Sequence, residues 1–399
     1  MSNEMIFVSM LAIPILAGIV SQFASSQRAA VHISLSGVFL AVPICCHAIY
    51  NVFRHGRFFA FSDWIFIDEL SAWHLAVLLA VFTLSSLFAM VYFGEELRER
   101  KLSIQQAKTF AGLWSPAMAA MMLVLISNNL GIMWVGMEAT TLLTSFLVCM
   151  RITRDSLEAT WKYMLICSVG IGFAFLGTML MRLAAKDLPL DPNQALLWTN
   201  LMAHTAFLSP ALVKAAFIFA LVGYGTKAGL APMHSWLPDA HSKAPSPVSA
   251  IFSGFMLNTA LYCIMRYIPL TEETLRHSGW ALRFLTGFGL FSILMSAAFI
   301  LFQHDIKRFL AYCSVEHIGI IALGLGLGGL GTFAALFHTL NHSLSKSLAF
   351  FSAGRLGQSF GSHNIEKMSG SMQVSPIWGT GIAASILVLI GIVPFSLFI

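Results

Sequence analysis

Charge is what this sequence has least of. Asp, Glu, Lys and Arg make up 10% of its 399 residues, where a soluble domain carries roughly a quarter. With 57% hydrophobic residues and a mean hydropathy of +0.79, the chain cannot cover a water-facing surface. It reads as an integral membrane protein, and no stretch suggests a soluble domain. The net charge of +5 is spread along loops, so nucleic acid is not an expected partner. The six cysteines show no CxxC spacing and are expected to be core residues rather than disulfides or metal ligands. The sequence also lacks a haem signature, an iron–sulfur cysteine set and a dinucleotide motif, so no cofactor is expected here. No basic segment or cleavage site accompanies the first apolar run, which is therefore read as a retained span.

Apolar segments of about 20 residues, matched to a hydrocarbon core of about 30 Å, give about twelve spans. They fall near 5–23, 30–52, 70–93, 109–127, 129–150, 157–182, 208–231, 245–268, 281–303, 308–328, 331–354 and 375–398. The fold class is all-α and polytopic. The longest connection, 183–207, is expected to lie partly along the membrane interface. Odd-numbered loops hold more Lys and Arg than even-numbered ones, among them Arg98, Arg100, Lys101, Arg151, Arg154, Lys243, Lys307 and Arg308. That bias puts the odd loops in the cytoplasm and the N-terminus outside.

An ionisable residue deep in a span is costly and is a functional candidate by default. Glu138 sits in the fifth span and Lys227 in the seventh; Glu316 and His317 sit in the tenth. His338, His342 and Lys346 follow one another at intervals of four on the eleventh. Such spacing puts them on one helical face, about 6 Å apart per step. The stripe faces either the bundle interior or water. Linked by waters, these groups make a proton wire; alternatively, they are buried polar residues that hold helices together. Lys214 lies about 20 Å from Lys227 along a helix and either snorkels to the surface or joins the path. Arg151, Arg154, Asp155, Glu158 and Lys162 read as a solvated helix start with i,i+4 pairs.

The stretch GYGTKAGLAPMHSWLPDAHSKAPSPVSA, 223–250, places Pro232 and Pro238 just after Lys227. A proline in a span leaves carbonyls without donors, which is tolerated where the break lines a protein cavity or water. Pro394, in GIVPFSLFI, marks a second candidate break in the twelfth span. Broken spans five apart have opposite orientation, as inverted five-helix repeats require. The division expected is 1–108 for the first three spans, 109–268 for a first half, and 281–399 for a second half that is truncated.

WVGMEATTL, the Lys227–Pro232 break with HSWLPDAHSKAPSPVSA, HDIKRFLAYCSVEHIG, and FHTLNHSLSKSLAFFSAG together resemble the antiporter-like family. That family comprises the proton-translocating membrane subunits of respiratory complex I, the large subunits of Mrp-type sodium/proton antiporters, and relatives in membrane-bound hydrogenases. The likeness runs from about residue 60 to the end. WVGMEATTL, SVEHIG and GYGTKAG look most like the F component of hydrogenase-4 and formate-hydrogenlyase-type complexes. The resemblance implies a proton-translocating subunit of a membrane redox complex in a prokaryotic plasma membrane. Its partners would be other membrane subunits and a peripheral redox arm, with the redox centres of that oxidoreductase in those partners. Glu138 and Lys227 would form the input half-channel, and His338, His342 and Lys346 would link the two halves. Attraction to Glu138 would hold a proton on Lys227, and separating the pair would release it. Asn258 stands where several relatives have a lysine, so the link there must use a neutral group or water. Relatives continue past the twelfth span, and the outlet of the second half is therefore open. A sodium/proton antiporter subunit and a non-conducting scaffold remain alternatives.

Overall fold

The computed structural model describes residues 2–395 and 397. Its helices in order are α1 (Asn3–Ser21), α2 (Gln27–His55), α3 (Glu69–Arg98), α4 (Ile104–Leu125), α5 (Leu130–Val148), α6 (Arg154–Ala184), α7 (Trp198–Ala203), α8 (Pro210–Ala228) and α9 (Trp236–Lys243). They continue as α10 (Ser246–Ile251), α11 (Leu257–Thr274), α12 (Trp280–Ile300), α13 (Ile306–Leu327), α14 (Leu330–Phe360), α15 (Ser371–Val374) and α16 (Pro376–Leu389). A single π-helical turn, Phe252–Met256, joins α10 to α11 into one span. Side chains that outcompete the backbone start the helices: Ser2, Ser26, Asp68, Ser103, Asn129, Thr153 and Asp305 each accept from the amides of a first turn. Ser103 and Thr153 form reciprocal boxes with Gln106 and Ser156.

Among the described residues, ten helices are long and apolar enough to cross a membrane, where about twelve were expected. The α14 helix has the length, 31 residues, but His338, Asn341, His342, Ser343, Ser345, Lys346 and Ser347 dilute its apolar character. The α16 helix has 14 residues. The twelfth span is thus shorter than the apolar run that suggested it.

The chain alternates between two faces. On one, the antiparallel pair β1 (Phe58–Ala60) and β2 (Ile65–Ile67) receives the α4–α5 turn, with the Phe66 amide donating to Ile126 O at 2.8 Å. The 183–207 connection packs there too: Asn128 donates to Thr199 at 2.9 Å, and the Leu130 amide to Leu196 O at 3.0 Å. Asn3 donates to Phe59 O, which puts the start of α1 on this hairpin face. The opposite face gathers Arg98, Arg151, Lys243, Lys307 and Arg308, and we call it the basic face. Its connections are tied together by the Ile306 amide donating to His363 O and by Gln106 donating to Met150 O.

Candidate functional site

Close packing of α6 on α8 fixes where Lys227 lies. A Cβ on Gly223 would fall 2.4 Å from Ala174 N, and one on Gly170 would fall 2.6 Å from Thr226 Cβ. Small residues at these positions let the backbones touch, which drives helix association where lipid supplies no hydrophobic force. The α8 helix then stops at Ala228, capped by Gly229 in the left-handed conformation at φ 79°. Turns fill 231–235 before α9 begins. The break expected at Pro232 is therefore present. Its loose ends are met by side chains: Trp236 Nε1 donates to Thr226 O at 2.9 Å, and the Ala231 amide donates to Ser292 Oγ on α12 at 2.9 Å. Pro238 does not break the chain, contrary to the sequence reading. It occupies the first turn of α9, where its missing amide would have had no partner. In the last span α16 ends at Leu389, and Pro394 lies beyond it in a turn.

Lys227 is 0% exposed. Its Nζ donates to Tyr163 OH at 2.6 Å and to Thr141 Oγ1 at 3.0 Å, and it sits 4.7 Å from the Tyr163 ring centroid. Glu138 does not pair with it within 4.0 Å, as the sequence reading had it, although the two remain in electrostatic range. Instead Glu138 accepts from Ser168 on α6 at 2.9 Å, and its second oxygen is buried without a protein partner. One helical turn separates Glu138 from Thr141 on α5, and the hydroxyl at 141 takes the amine first. Tyr163 OH and Thr144 Oγ1 lie 2.6 Å apart, and Thr144 donates to Thr140 O. Lysine, tyrosine and threonine thus form a continuous hydrogen-bonded chain.

The π turn carries the next polar groups. Asn258, fully buried, donates to Gly254 O at 3.2 Å and to Ser343 Oγ on α14 at 3.0 Å, while its own oxygen has no protein partner. Ser253 and Ser314 hydroxyls meet at 2.7 Å. The widened turn rotates these groups toward α13 and α14, a use of π-bulges common at functional sites. A neutral link at 258 is what the structure contains.

On α13 and α14 the expected residues converge. His317 Nδ1 and His338 Nε2 are 2.8 Å apart, and the His317 and His342 rings stack at 5.3 Å. His342 is fully buried, and neither ring nitrogen meets a protein donor or acceptor. Lys346, also fully buried, donates to Leu310 O at 2.9 Å. Glu316 points elsewhere, into a cavity of about 350 Å³ shared with Cys313, Ile386 and Leu389. Lys214 is exposed and lies 5.6 Å over the Trp280 ring, which is the snorkelling geometry.

Several site residues escaped the sequence reading. Thr141, Tyr163 and Ser168 are common residue types in apolar helices, and only the packing of α5, α6 and α8 brings them together. His241 is 0% exposed, stacked on Phe350 at 4.8 Å, with both ring nitrogens unpartnered and Lys307 and Lys346 in electrostatic range. Its place beside Asp239 had suggested a loop signature. Lys307, 2% exposed, donates to Ala244 O at the floor of a basic-face cavity of about 440 Å³. Glu96, Arg151, Lys243 and His363 line that cavity. Burial, with Lys307 and Arg151 nearby, pushes the His363 imidazole down to about 3, so it is neutral near pH 7. Of the surface charges, Lys162 bridges Glu158 and Asp239, Lys243 holds Asp155, and Arg151 holds Glu96. The helix start is solvated, as expected, but most of its pairs run between helices.

On the hairpin face Arg266, 3% exposed, forms a two-pronged pair with Asp68 at 2.6 Å and 2.6 Å. Tyr262, Ser71, Phe66 and Trp198 enclose it. Burial tends to raise the Asp68 carboxyl, but the hydrogen bonds and charge of Arg266 outweigh it and hold the group below the usual carboxylate range.

A polytopic helical membrane protein with a broken span and a buried row of lysines and histidines is defined by these features. The chain belongs to the NADH:quinone oxidoreductase/Mrp antiporter transmembrane family, which it matches over residues 127–399. It is 39% identical over 338 residues to a hydrogenase-4 component F homolog of Methylacidiphilum infernorum, covering 84% of this chain and 71% of that one. With hydrogenase-4 component B of Escherichia coli K12 it shares 30% identity over 355 residues, covering 86% of this chain but 50% of that longer one. The fold matches a chain in the Mrp complex from Dietzia sp. DQ12-45-1b with a TM-score of 0.86, at 21% identity, over 100% of this chain and 73% of that one.

Proposed function

We propose that this chain is a proton-translocating membrane subunit of a multi-subunit redox complex of hydrogenase-4 or complex I type. One observation carries the reading: a fully buried lysine at a helix break whose amine is held by hydroxyls rather than by a carboxylate. A structural cation in low dielectric is stable when paired with an opposite charge. An amine held by Tyr163 and Thr141 can give up its proton and leave a neutral, still hydrogen-bonded group. Glu138, at longer range, biases that equilibrium. From Tyr163 and Thr144 the path runs past the π turn and Asn258 to His342 and Lys346, with waters closing the remaining gaps. His317 and His338 extend it toward the hairpin face. The basic face is taken as cytoplasmic from its Lys and Arg, which places the N-terminus outside. The two halves, 109–268 and 281–399, are read as inverted repeats.

The electron chemistry would reside in partner subunits. Membrane vesicles holding the assembled complex, with its electron donor supplied, test the reading: proton uptake should accompany electron flow and vanish with Lys227→Met. Uptake that survives this substitution overturns it. The likeness to an Mrp complex favours a second reading, sodium/proton exchange. Fluxes in proteoliposomes with and without sodium separate the two, since exchange requires the sodium gradient and redox pumping does not.

A further inference from the structure

The helix break opens sideways onto an apolar groove of about 420 Å³ between 231–232 and α12, lined by Ala231, Pro232, Arg283, Phe284, Gly287 and Phe288, with Phe291 at its end. Only about a fifth of the α12 span is covered by the rest of the chain, the least of the ten candidate spans (22%). Phe284 and Phe291 are 40% and 43% exposed. Gly287 forms the floor, and nothing lies within 4 Å of a Cβ built there. The groove runs from Arg283 to Phe291, about 12 Å along the helix. Arg283 is its one charged residue and stands in the first turn of α12, at the level where a hairpin-face phosphate would lie. Its guanidinium donates to Ser278 O, and no carboxylate lies within ion-pair distance among the described residues.

We propose that this groove holds one acyl chain of a phospholipid, with the lipid phosphate on Arg283. An apolar trough on the least covered span faces hydrocarbon, and a void there forfeits dispersion contacts that a methylene chain restores. An unpaired arginine at the mouth matches an anionic headgroup in charge and in donor geometry. A water-filled groove is disfavoured, because its walls offer water almost no polar partner. The occupant would rest directly on Pro232, and the Ala231 amide beside it already leans on Ser292 of α12. The lipid therefore fills the space that the broken span leaves between itself and α12.

The test uses the assembled complex in its membrane and a phosphatidylglycerol bearing a photoactivatable group in its acyl chain. Illumination should label 231–232 and 284–291 in the unaltered protein. Gly287→Phe, which enters open space and so should not disturb folding, should cut that labelling about tenfold. Arg283→Gln should weaken retention of the probe through detergent washing by about tenfold, the effect of one lost charged contact. Equal labelling in the Gly287→Phe variant, or labelling no denser than on the exposed face of α6, overturns the proposal. So does cross-linking of a photoreactive residue at 287 to a partner subunit in place of lipid.

Discussion

Lys227 and Tyr163 meet at 2.6 Å, amine to hydroxyl, on two helices that small residues bring into backbone contact. The expected carboxylate partner, Glu138, is occupied by Ser168. This relationship makes the lysine the group to test first. Lys227→Met keeps the apolar stem and removes the titratable amine; Lys227→Arg keeps a charge that is not released in any accessible pH range. Both should abolish electron-coupled proton uptake while the complex still assembles. A static scaffold instead tolerates Arg and loses assembly with Met. Measuring uptake and assembled complex in the same membranes decides between them.

Tyr163→Phe isolates the hydroxyl. The ring, and with it the cation–π contact to Lys227, survives the change. Lys227 would keep Thr141 alone, and Thr144 would lose its neighbour at 2.6 Å. A buried donor left short of a partner costs about 1–3 kcal/mol, so thermal stability should fall modestly. Coupled uptake should slow by about tenfold or more, and an unchanged rate would remove Tyr163 from the path.

His342 separates conduction from glue. A residue with no protein hydrogen bond at either ring nitrogen contributes little to holding α13 on α14. Replacing His342 with Met, similar in volume and apolar, should leave the melting temperature of the solubilised complex equal or higher. Proton uptake should nevertheless be lost. A marked drop in stability would show that the histidine is structural.

The Asp68–Arg266 pair gives a pH dependence on the hairpin face. The folded carboxyl titrates below its unfolded value of about 3.9, so its contribution is fully present above that pH. The contribution is lost as pH falls through the lower, folded value. Asp68→Asn strands the buried guanidinium and should cost about 3–5 kcal/mol at neutral pH. The variant should also lose part of the acid sensitivity between pH 4 and the onset of acid unfolding (about two units below), read from melting temperatures across that window.

What the sequence determined by itself is the solvent and the menu of groups. Scarce charge and apolar runs of membrane length fix a helical bundle, because lipid leaves backbone amides no other partner. Glu138, Lys227, His317, His338, His342, Lys346 and the Pro232 break were legible as exceptions to that rule, since each is expensive in hydrocarbon. The tertiary structure decided what those groups touch. Thr141 rather than Glu138 takes the amine because the pitch of α5 and the glycine contacts of α6 and α8 set the distances. Glu316 turns from its neighbour His317 toward α16 because adjacent residues on a helix point about 100° apart. His241, Lys307 and the Asp68–Arg266 clamp join residues 60 to 200 positions apart. Pairing at such range depends on how helices cross, and local sequence carries no record of it.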